Sequence, residues 1–171
     1  MDLLTIPFKQ LQSSELVSAL QYIVADGLRL HVSLAEMSSW KVGGIAPIVV
    51  LPNNEEQLVQ VVAALRKFQQ LFIVIGDTTN LLFNDEGLNL VVIQLSRNFS
   101  TIEVKGNILS VQAGAWAPKV ARISYQQQLT GLEHIVGIPG TIGGLIYMNG
   151  GSLRKSIGYH VSTVRTLEAD G

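Results

Sequence analysis

Two glycine-containing segments carry the residues best suited to hold a ligand. The first, residues 76–82, reads Gly-Asp-Thr-Thr-Asn-Leu-Leu and directly follows the apolar run 71–75. Small residues after a strand let backbone N–H groups turn towards one point, and threonine hydroxyls add donors, which is how proteins hold phosphate oxygens. The same pattern is also typical of an ordinary turn that ends a strand, so this segment alone leaves both interpretations open.

The second segment, residues 137–144, reads Gly-Ile-Pro-Gly-Thr-Ile-Gly-Gly and has four glycines in eight positions. Such a backbone must bend tightly or approach another group closely. A large planar ligand lying along the backbone would need a surface of this kind, and a second loop follows at Asn149-Gly150-Gly151. A purely structural loop is the alternative.

Other reactive side chains give weaker signals. His31, His134 and His160 are too scattered to show metal-ligand spacing and are interpreted as surface or packed residues. The absence of cysteine excludes disulfides, thiolate catalysis and thiolate-bound metals. Trp40 and Trp116 could stack on a flat ligand, although contact with a hydrophobic core is the commoner use. We predict no metal site.

Composition narrows the functional class. The chain has 171 residues, of which 47% are hydrophobic and 15% charged, with a formal net charge of −1. This is a globular composition without the basic surface that nucleic acids attract. No apolar run approaches the length of a membrane span, and Met1–Gln10 lacks the layout of a signal peptide. We expect a cytoplasmic protein with neither nucleic-acid nor membrane partners.

The first half predicts a strand–helix–strand unit. A first helix begins with Ser13 or Ser14 as its cap and ends at Gly27, and a polar, turn-rich stretch follows to Gly44. Buried strands are expected at 48–51 and 71–75, with a helix between them capped by Asn53 with Glu56, or by Asn54 with Gln57. The two strands should be parallel with a right-handed crossover.

The second half predicts short strands and one helix. Strands are expected at 90–93, 101–104, 108–112 and 161–167, with a hairpin turn at 105–107. A helix should run from Pro118 to about Leu129, with Gly131 as its stop. Asp170-Gly171 is a hairpin signal that no partner strand follows, so the chain is interpreted as cut short. A boundary is expected near 84–88, which gives a lead-in at 1–34 and subdomains at 35–86 and 87–171.

Taken together, these motifs resemble UDP-N-acetylenolpyruvoylglucosamine reductases, also called UDP-N-acetylmuramate dehydrogenases. The densest match joins Gly131-Leu132-Glu133, residues 137–144 and Tyr147-Met148-Asn149. Residues 39–44 are similar to the family's Thr-Phe-x-Ile-Gly-Gly, and residues 76–82 to its Gly-x-Gly-Ser-Asn-Leu-Leu phosphate loop. Gly114-Ala115 occurs where the family has Gly-Ala after a strand. The resemblance covers residues 28–171.

The resemblance implies an α+β fold: an FAD-binding fold of two α/β subdomains, an N-terminal βαβ unit followed by a mixed or antiparallel sheet with helices. FAD would lie between the subdomains, with NADPH as co-substrate and a UDP-sugar enolpyruvyl group as hydride acceptor in peptidoglycan precursor synthesis. The cofactor-binding residues carried over are Gly76, Asp77, Thr78, Thr79, Asn80, Leu81, Gly114, Ile138, Pro139, Gly140, Thr141, Gly143, Gly144 and Asn149.

Three departures from the family pattern matter. Asp77 and Thr78 replace small residues, and a carboxylate close to a diphosphate costs roughly 1 kcal/mol or more at an effective dielectric near 20, while a side chain where φ is positive adds strain. Residues 149–154 differ from the family's Asn-Ala-Gly-Ala-Tyr-Gly. The family's arginine, glutamate and proton-donating serine or cysteine have no counterpart here, and they belong to a substrate-binding C-terminal domain that this chain lacks.

The sequence thus leaves three interpretations. The chain is the FAD-binding part of an oxidoreductase that is inactive alone, with no catalytic residue of its own, or a flavin or nucleotide carrier that works with a partner chain. In the third, it is a degenerate relative that serves as a protein-interaction module. Self-association is expected because the flavin face and the strand at 161–167 would otherwise meet water.

Overall fold

The computed structural model describes residues 13–168, which form two compact units. The first unit contains the described residues up to Gln94 together with Leu167 and Glu168, and the second spans Leu95–Thr166. Each unit has its own buried hydrophobic cluster. The mixture of helices with parallel and antiparallel strands confirms the predicted α+β class.

A mixed four-stranded sheet forms the centre of the first unit. Strand β1 (Leu28–Ser33) pairs antiparallel with β2 (Ile45–Val50). Strands β3 (Phe72–Ile75) and β4 (Val91–Gln94) follow, and β4 pairs in parallel with both β2 and β3. The order β1-β2-β4-β3 therefore makes β2 and β3 parallel, as predicted, but with β4 inserted between them.

Three α-helices belong to the described part of the first unit, and each has a side-chain cap at its N-terminus. Helix α1 (Ser14–Val24) begins after Ser13, whose hydroxyl accepts a hydrogen bond from the Leu16 amide at 3.2 Å. Helix α3 (Glu55–Lys67) begins after Asn54, whose side-chain oxygen accepts from the Gln57 amide at 2.8 Å. Each cap satisfies an amide that the helix itself leaves without a partner. A third, short helix, α2 (Leu34–Met37), follows β1.

The second unit combines two hairpins with two helices. Strands β5 (Ile102–Lys105) and β6 (Ile108–Val111) pair antiparallel across a two-residue turn, which confirms the predicted hairpin. Helix α4 (Ala117–Gln126) carries a proline in its first turn, and α5 (Ile142–Tyr147) follows the glycine-rich segment. A small hairpin, β7 (Gly151–Ser152) with β8 (Lys155–Ser156), comes last. The core residues are Ala115, Ala117, Val120, Ala121, Ile135, Ile142, Leu145 and Ile157.

The sheet of the first unit corrects three expectations. The stretch after Gly27 was expected to be turns, but it contains β1, in which Leu28, Leu30 and Val32 alternate with polar residues, a strand pattern that the sequence interpretation overlooked. Strand β4 was assigned to the second half, yet it is the buried centre of the first sheet. Strand β3 was expected to be buried, but it is an edge strand in which only Ile75 is buried.

Two further corrections concern the second half. Helix α4 ends at Gln126, earlier than expected, because Gln128 adopts a left-handed conformation at φ 57° and the Leu129 amide bonds back to Ser124. Residues 161–168 form no strand. Their β-branched residues favour a strand locally, but a strand also needs a neighbour with which to pair. The expectations for Met1–Gln10 and Asp170-Gly171 lie outside the described residues.

Candidate functional site

The first candidate loop, residues 76–82, leaves the sheet at the carboxyl end of β3. This is the edge at which open α/β sheets bind ligands. The Gln94 side-chain amide, at the end of the neighbouring strand β4, donates to the Gly76 carbonyl at 3.3 Å. The Leu81 amide donates to the Thr78 carbonyl at 3.2 Å and closes a tight turn. The loop is therefore fixed to the sheet at its start and folded on itself in the middle.

Thr78 anchors this loop rather than lining it. Its backbone has φ 60°, so the predicted positive φ occurs at a residue with a side chain. Thr78 is 3% exposed, and its single hydroxyl hydrogen is shared between the carbonyl oxygens of Met37 at 3.0 Å and Asp77 at 2.7 Å. Because that hydrogen points into the fold, phosphate binding by this loop must rely on its other donors.

A cavity of about 250 Å³ lies beside the loop and is lined by Trp40, Asn80, Leu81 and Leu82. The Trp40 side chain is 65% exposed and Leu82 is 78% exposed. The Trp40 amide donates to the Ser38 hydroxyl at 3.1 Å, which holds the backbone that carries the indole ring. An exposed indole beside leucines offers a face on which a planar group can stack.

Glycines at 43 and 44 serve the packing of this unit. A Cβ atom on Gly44 would lie 2.2 Å from the Asp85 carbonyl oxygen, and one on Gly43 would lie 2.7 Å from the Phe83 Cβ. The Gly44 amide donates to the Asn84 carbonyl at 2.9 Å. The Gly-Gly pair is therefore required because two backbone segments touch, which explains why this motif precedes β2.

In the second unit, the glycine-rich segment pairs with the backbone around Gly114. The Ala117 amide donates to the Gly140 carbonyl at 2.9 Å, and the amides of Ile142 and Gly143 donate to the carbonyls of Ala115 at 2.8 Å and Ala113 at 2.7 Å. The structure thus brings together residues that are more than twenty positions apart in sequence. Gly140, Thr141 and Gly143 belong to this pairing, while Gly114 lies between the paired residues Ala113 and Ala115 and donates its own amide to the Phe99 carbonyl at 2.8 Å.

Steric requirements separate the glycines of this region into two groups. A Cβ atom on Gly114 would lie 2.1 Å from the Ser96 carbonyl oxygen, and one on Gly143 would lie 2.8 Å from the Ala113 Cβ. In contrast, no heavy atom lies within 4 Å of a Cβ on Gly137, and only the Thr141 hydroxyl, at 3.5 Å, approaches one on Gly144. The protein leaves bare, accessible backbone at these two positions, which fits a flat group lying against it.

The polar side chains of the segment hold its shape. The Thr141 hydroxyl accepts from the Gly144 amide at 3.3 Å as the cap of α5. Asn149 has φ 44°, and its side-chain oxygen accepts from the Gly158 amide at 3.2 Å. Ile138 is half-buried against the core, whereas Pro139 is exposed. Asn149 thus stabilises the next turn.

Glu133 fixes the turn before the segment, a role that sequence reasoning did not identify. The Thr130 hydroxyl donates to Glu133 at 2.7 Å, and the Gly131 amide donates at 2.9 Å. The Thr130 hydroxyl, the backbone N–H of Glu133 itself and the Gly131 amide, in that order, lower the pKa of Glu133 to about 2, with a smaller contribution from the Lys155 charge. The signal was present in the Gly-Leu-Glu motif, since a carboxylate two residues after a glycine amide can accept from it.

His134 is a packed histidine, in agreement with its interpretation from the sequence. It is 6% exposed, and its Nδ1 lies 3.0 Å from the Gly131 carbonyl oxygen. The His160 ring lies 5.7 Å away between centroids and occupies the space beside Gly131. Within residues 13–168, no group of three or more acidic or histidine side chains could hold a metal ion. No helix in this part of the chain has the length and apolar character to cross a membrane.

Comparison with known proteins identifies the class. Residues 46–171 match the family described as "FAD binding domain". The chain therefore belongs to this family, and FAD is its cofactor. A search of solved structures finds the same fold in an alkyldihydroxyacetonephosphate synthase, with a TM-score of 0.68 at 17% identity over 86% of this chain and 32% of that one.

More similar relatives confirm the resemblance to UDP-N-acetylenolpyruvoylglucosamine reductases. The chain is 38% identical to reductase 1 of Corynebacterium glutamicum over 82% of its own length and 42% of the relative's. It is 34% identical to the Halalkalibacterium halodurans reductase, covering 92% of this chain and 52% of that protein. The crystal structure of the Thermus caldophilus reductase matches with a TM-score of 0.63 at 31% identity, over 76% and 46% of the two chains. The chain spans about half the length of these relatives.

Proposed function

We propose that this chain is the FAD-binding part of a UDP-N-acetylenolpyruvoylglucosamine reductase in the cytoplasm. The whole enzyme would transfer hydride from NADPH to the enolpyruvyl double bond of a UDP-sugar and form UDP-N-acetylmuramate for peptidoglycan. The observation that carries the proposal is the backbone pairing around Gly114 and Gly143, which leaves Gly137 and Gly144 bare. The named reductases among the relatives support it.

The proposed residue roles follow the two loops. Backbone N–H groups of residues 76–81 would hold the diphosphate, while Thr78 keeps the loop in place through Met37. Residues 138–144 and Gly114 would lie along the flavin and its ribityl chain, with Asn149 supporting the following turn. Bound FAD would supply the hydride-carrying ring, and the protein's part is to hold and orient it.

We also propose that the chain cannot complete the reaction alone. Reduction of an enolpyruvyl group requires a proton donor positioned at the carbanion. The residues that the reductase family uses for this step, and those that polarise the substrate, have no counterpart in this sequence. They would come from a further substrate-binding domain, beyond the two subdomains proposed for this chain.

Absorbance spectroscopy tests both parts of the proposal. The purified chain is mixed with FAD, passed through a desalting column and scanned from 300 to 550 nm. Retained flavin bands are expected, together with no formation of UDP-N-acetylmuramate when NADPH and the UDP-sugar are added. Loss of all flavin at high protein concentration would contradict the assigned cofactor site, and turnover by the isolated chain would contradict its dependence on another domain.

A second candidate is a flavin or nucleotide carrier, or an interaction module, without catalysis. The conformation of residues 76–82 favours it, because the Thr78 hydroxyl donates into the fold and its backbone has φ 60°. A carrier would retain flavin, but its flavin would not be reduced by NADPH even when the substrate-binding domain of a reductase is supplied. A pure interaction module would retain no flavin at all.

We further propose that the isolated chain self-associates. The second unit exposes Tyr147 at 89%, Met148 at 58% and Val136 at 49%. Apolar side chains exposed in such numbers are typical of interaction or ligand-binding surfaces. Sedimentation velocity over a range of concentrations should show a mass that increases with concentration. A monomer at the highest concentration would contradict self-association.

A further inference from the structure

Two histidine side chains of the second unit lie together although they are far apart in the sequence. His134 belongs to the 3-10 turn Glu133–Ile135, and His160 directly follows the 3-10 turn Ile157–Tyr159. Their ring centroids are 5.7 Å apart, and the ring planes are inclined by 40°. The sequence showed no metal-ligand spacing because only the fold brings this pair together. Neither histidine belongs to the cofactor site proposed above.

The His134 ring has one nitrogen that the protein leaves without a partner. Its Nδ1 lies 3.0 Å from the Gly131 carbonyl oxygen, and because that oxygen can only accept, Nδ1 carries the hydrogen. In a neutral ring, Nε2 then has a lone pair and no hydrogen. Among the residues that the structure describes, 13–168, this Nε2 is buried and has no hydrogen-bond partner. Buried polar atoms are rarely left in this state, so the free lone pair indicates a ligand that the protein does not itself supply.

The hydrogen bond of His134 is of the kind that prepares an imidazole to bind a metal ion. A metal-binding histidine usually donates its other ring N–H to a carbonyl or carboxylate, which fixes the tautomer and the direction of the ring. His160 supplies a second imidazole. With metal–nitrogen bonds of about 2.0–2.1 Å, two imidazoles on one ion have centroids roughly 5–6.5 Å apart. The observed separation of 5.7 Å therefore suits a shared ion.

Gly131 positions both histidines. Its carbonyl oxygen orients His134, and the His160 ring lies against the other side of the same residue. A Cβ atom on Gly131 would lie 2.8 Å from the Cε1 and 2.9 Å from the Nδ1 of His160. The backbone there has φ 117°, a conformation that suits glycine. His160 is exposed, so an ion can reach the pair from solvent.

The charges near the pair determine which ions it can attract. Glu133, whose pKa is lowered to about 2 chiefly by the Thr130 hydroxyl, is ionised at neutral pH and favours a cation. The positive charge of Lys155 acts on the same carboxylate and opposes a cation. Because the two charges offset each other, attraction must come from coordination by imidazole nitrogen. That chemistry favours transition-metal ions over Mg²⁺ or Ca²⁺, which prefer oxygen ligands.

From these observations we propose that His134 and His160 together bind a divalent transition-metal ion such as Zn²⁺, with water at the remaining coordination positions. This site replaces the expectation from sequence spacing that no metal binds. The ion connects the turns on either side of residues 137–156, which contain the glycine-rich segment and the β7–β8 hairpin. Closing this loop stabilises the folded second unit. The inference does not depend on the reaction proposed above.

Isothermal titration calorimetry of the untagged 171-residue chain with ZnCl₂ tests the site. We expect a single saturable site, and a melting temperature that increases in Zn²⁺ but not in Mg²⁺. NMR spectra of the imidazole nitrogens identify the ligands, since the signals of His134 and His160 should shift on adding Zn²⁺ while that of His31 should not. FAD is left out, so failure of the metal site and failure of flavin retention are separate results.

His160→Gln separates metal binding from folding. The residue is exposed, so the melting temperature without Zn²⁺ should be nearly unchanged. The affinity for Zn²⁺ should fall by about a hundredfold or more, since losing a residue that merely orients a metal ligand already costs roughly 10–100-fold. His31→Gln is the matched control, because it removes an exposed histidine of β1 in the first unit. This control should bind Zn²⁺ as the unsubstituted chain does.

Several outcomes would overturn the metal site. If His160→Gln binds Zn²⁺ as tightly as the unsubstituted chain, or if His31→Gln weakens binding equally, the ion binds elsewhere on the surface. Equal stabilisation by Mg²⁺ and Zn²⁺ would show that imidazole nitrogen is not the ligand. The absence of saturable Zn²⁺ binding would refute the proposal outright.

Discussion

Residues 76–82 of the first unit and 137–144 of the second both show the ligand-binding pattern, but their backbones are held in different ways. In the first loop, a threonine side chain occupies a position with φ 60° and is fixed by a hydrogen bond to Met37. In the second, backbone pairs with backbone, and Gly143 has no room for a Cβ. A loop that is held by crowded backbone, such as residues 137–144, tolerates few replacements of glycine. A loop that is held by a side chain, such as residues 76–82, can have an anchoring residue in place of a glycine.

Replacing Gly114 with alanine should have the largest effect on stability. The new Cβ would lie 2.1 Å from the Ser96 carbonyl oxygen and 2.5 Å from that of Phe99, both of which are backbone atoms. We expect the free energy of unfolding to fall by about 3 kcal/mol, since backbone must move to admit the methyl group. Urea denaturation measures this change.

Gly137→Ala is the matched control for that clash. No heavy atom lies within 4 Å of the added Cβ. Its free energy of unfolding should stay within about 0.5 kcal/mol of the unsubstituted chain. Equal losses in the free energy of unfolding for the two variants would show that glycine acts here through the flexibility of the chain. That result would contradict the distinction between crowded and bare glycines.

Gly144→Ala should separate cofactor binding from folding. Gly144 lies in the first turn of α5, and a Cβ there would meet only the Thr141 hydroxyl at 3.5 Å. Without FAD, the variant should be more stable by roughly 0.5–1 kcal/mol, because alanine is the better helix former. Its affinity for FAD should fall about tenfold or more, since a methyl group would intrude where the flat ring is proposed to lie. Unchanged FAD affinity would remove this residue from the proposed site.

Two substitutions at Thr78 test the anchoring of the first loop. Thr78→Ala and Thr78→Gly both lose the hydrogen bond to Met37, but only alanine retains the strain of a side chain at φ 60°. The glycine variant should therefore be the more stable of the two by about 1 kcal/mol, the reverse of the usual order. Thermal denaturation of the two variants shows which one is more stable. A more stable alanine variant would contradict the left-handed conformation of Thr78.

Local signals predicted the elements whose determinants lie within a few residues. The Ser13 and Asn54 caps were each one of two alternatives that the sequence offered, and the β5–β6 hairpin was expected with a turn at 105–107, one residue longer than the turn observed. Pairing between distant segments was not predicted. The antiparallel pairing of β1 with β2 and the insertion of β4 between β2 and β3 depend on contacts that no local pattern encodes.

The candidate site also combines features that local sequence predicted with features that depend on distant contacts. The glycine motifs were found because several glycines within a few positions are uncommon and indicate a backbone that closely approaches another group. Their sequence could not show which glycines are crowded by backbone, as Gly114 is, and which are bare, as Gly137 is. The inward hydrogen bond of Thr78 joins positions 41 residues apart and was likewise hidden.

The smallest expected effect is the dependence of stability on Glu133 and pH. The folded state lowers the pKa of this carboxyl to about 2 from its ordinary value of 4.5, chiefly through the Thr130 hydroxyl. A lowered folded-state pKa contributes stability that is fully present above pH 4.5 and is lost as pH falls through about 2, because the unfolded chain binds the proton first. Glu133→Gln cannot titrate, so the difference in free energy of unfolding between the two chains should shrink over that range.

Urea denaturation at pH 7, 4.5, 3 and 2 measures this difference. Glu103→Gln, on the exposed β5–β6 hairpin, is the control for a general effect of charge. A difference that stays constant with pH would show that the turn before the glycine-rich segment does not depend on the ionised carboxylate.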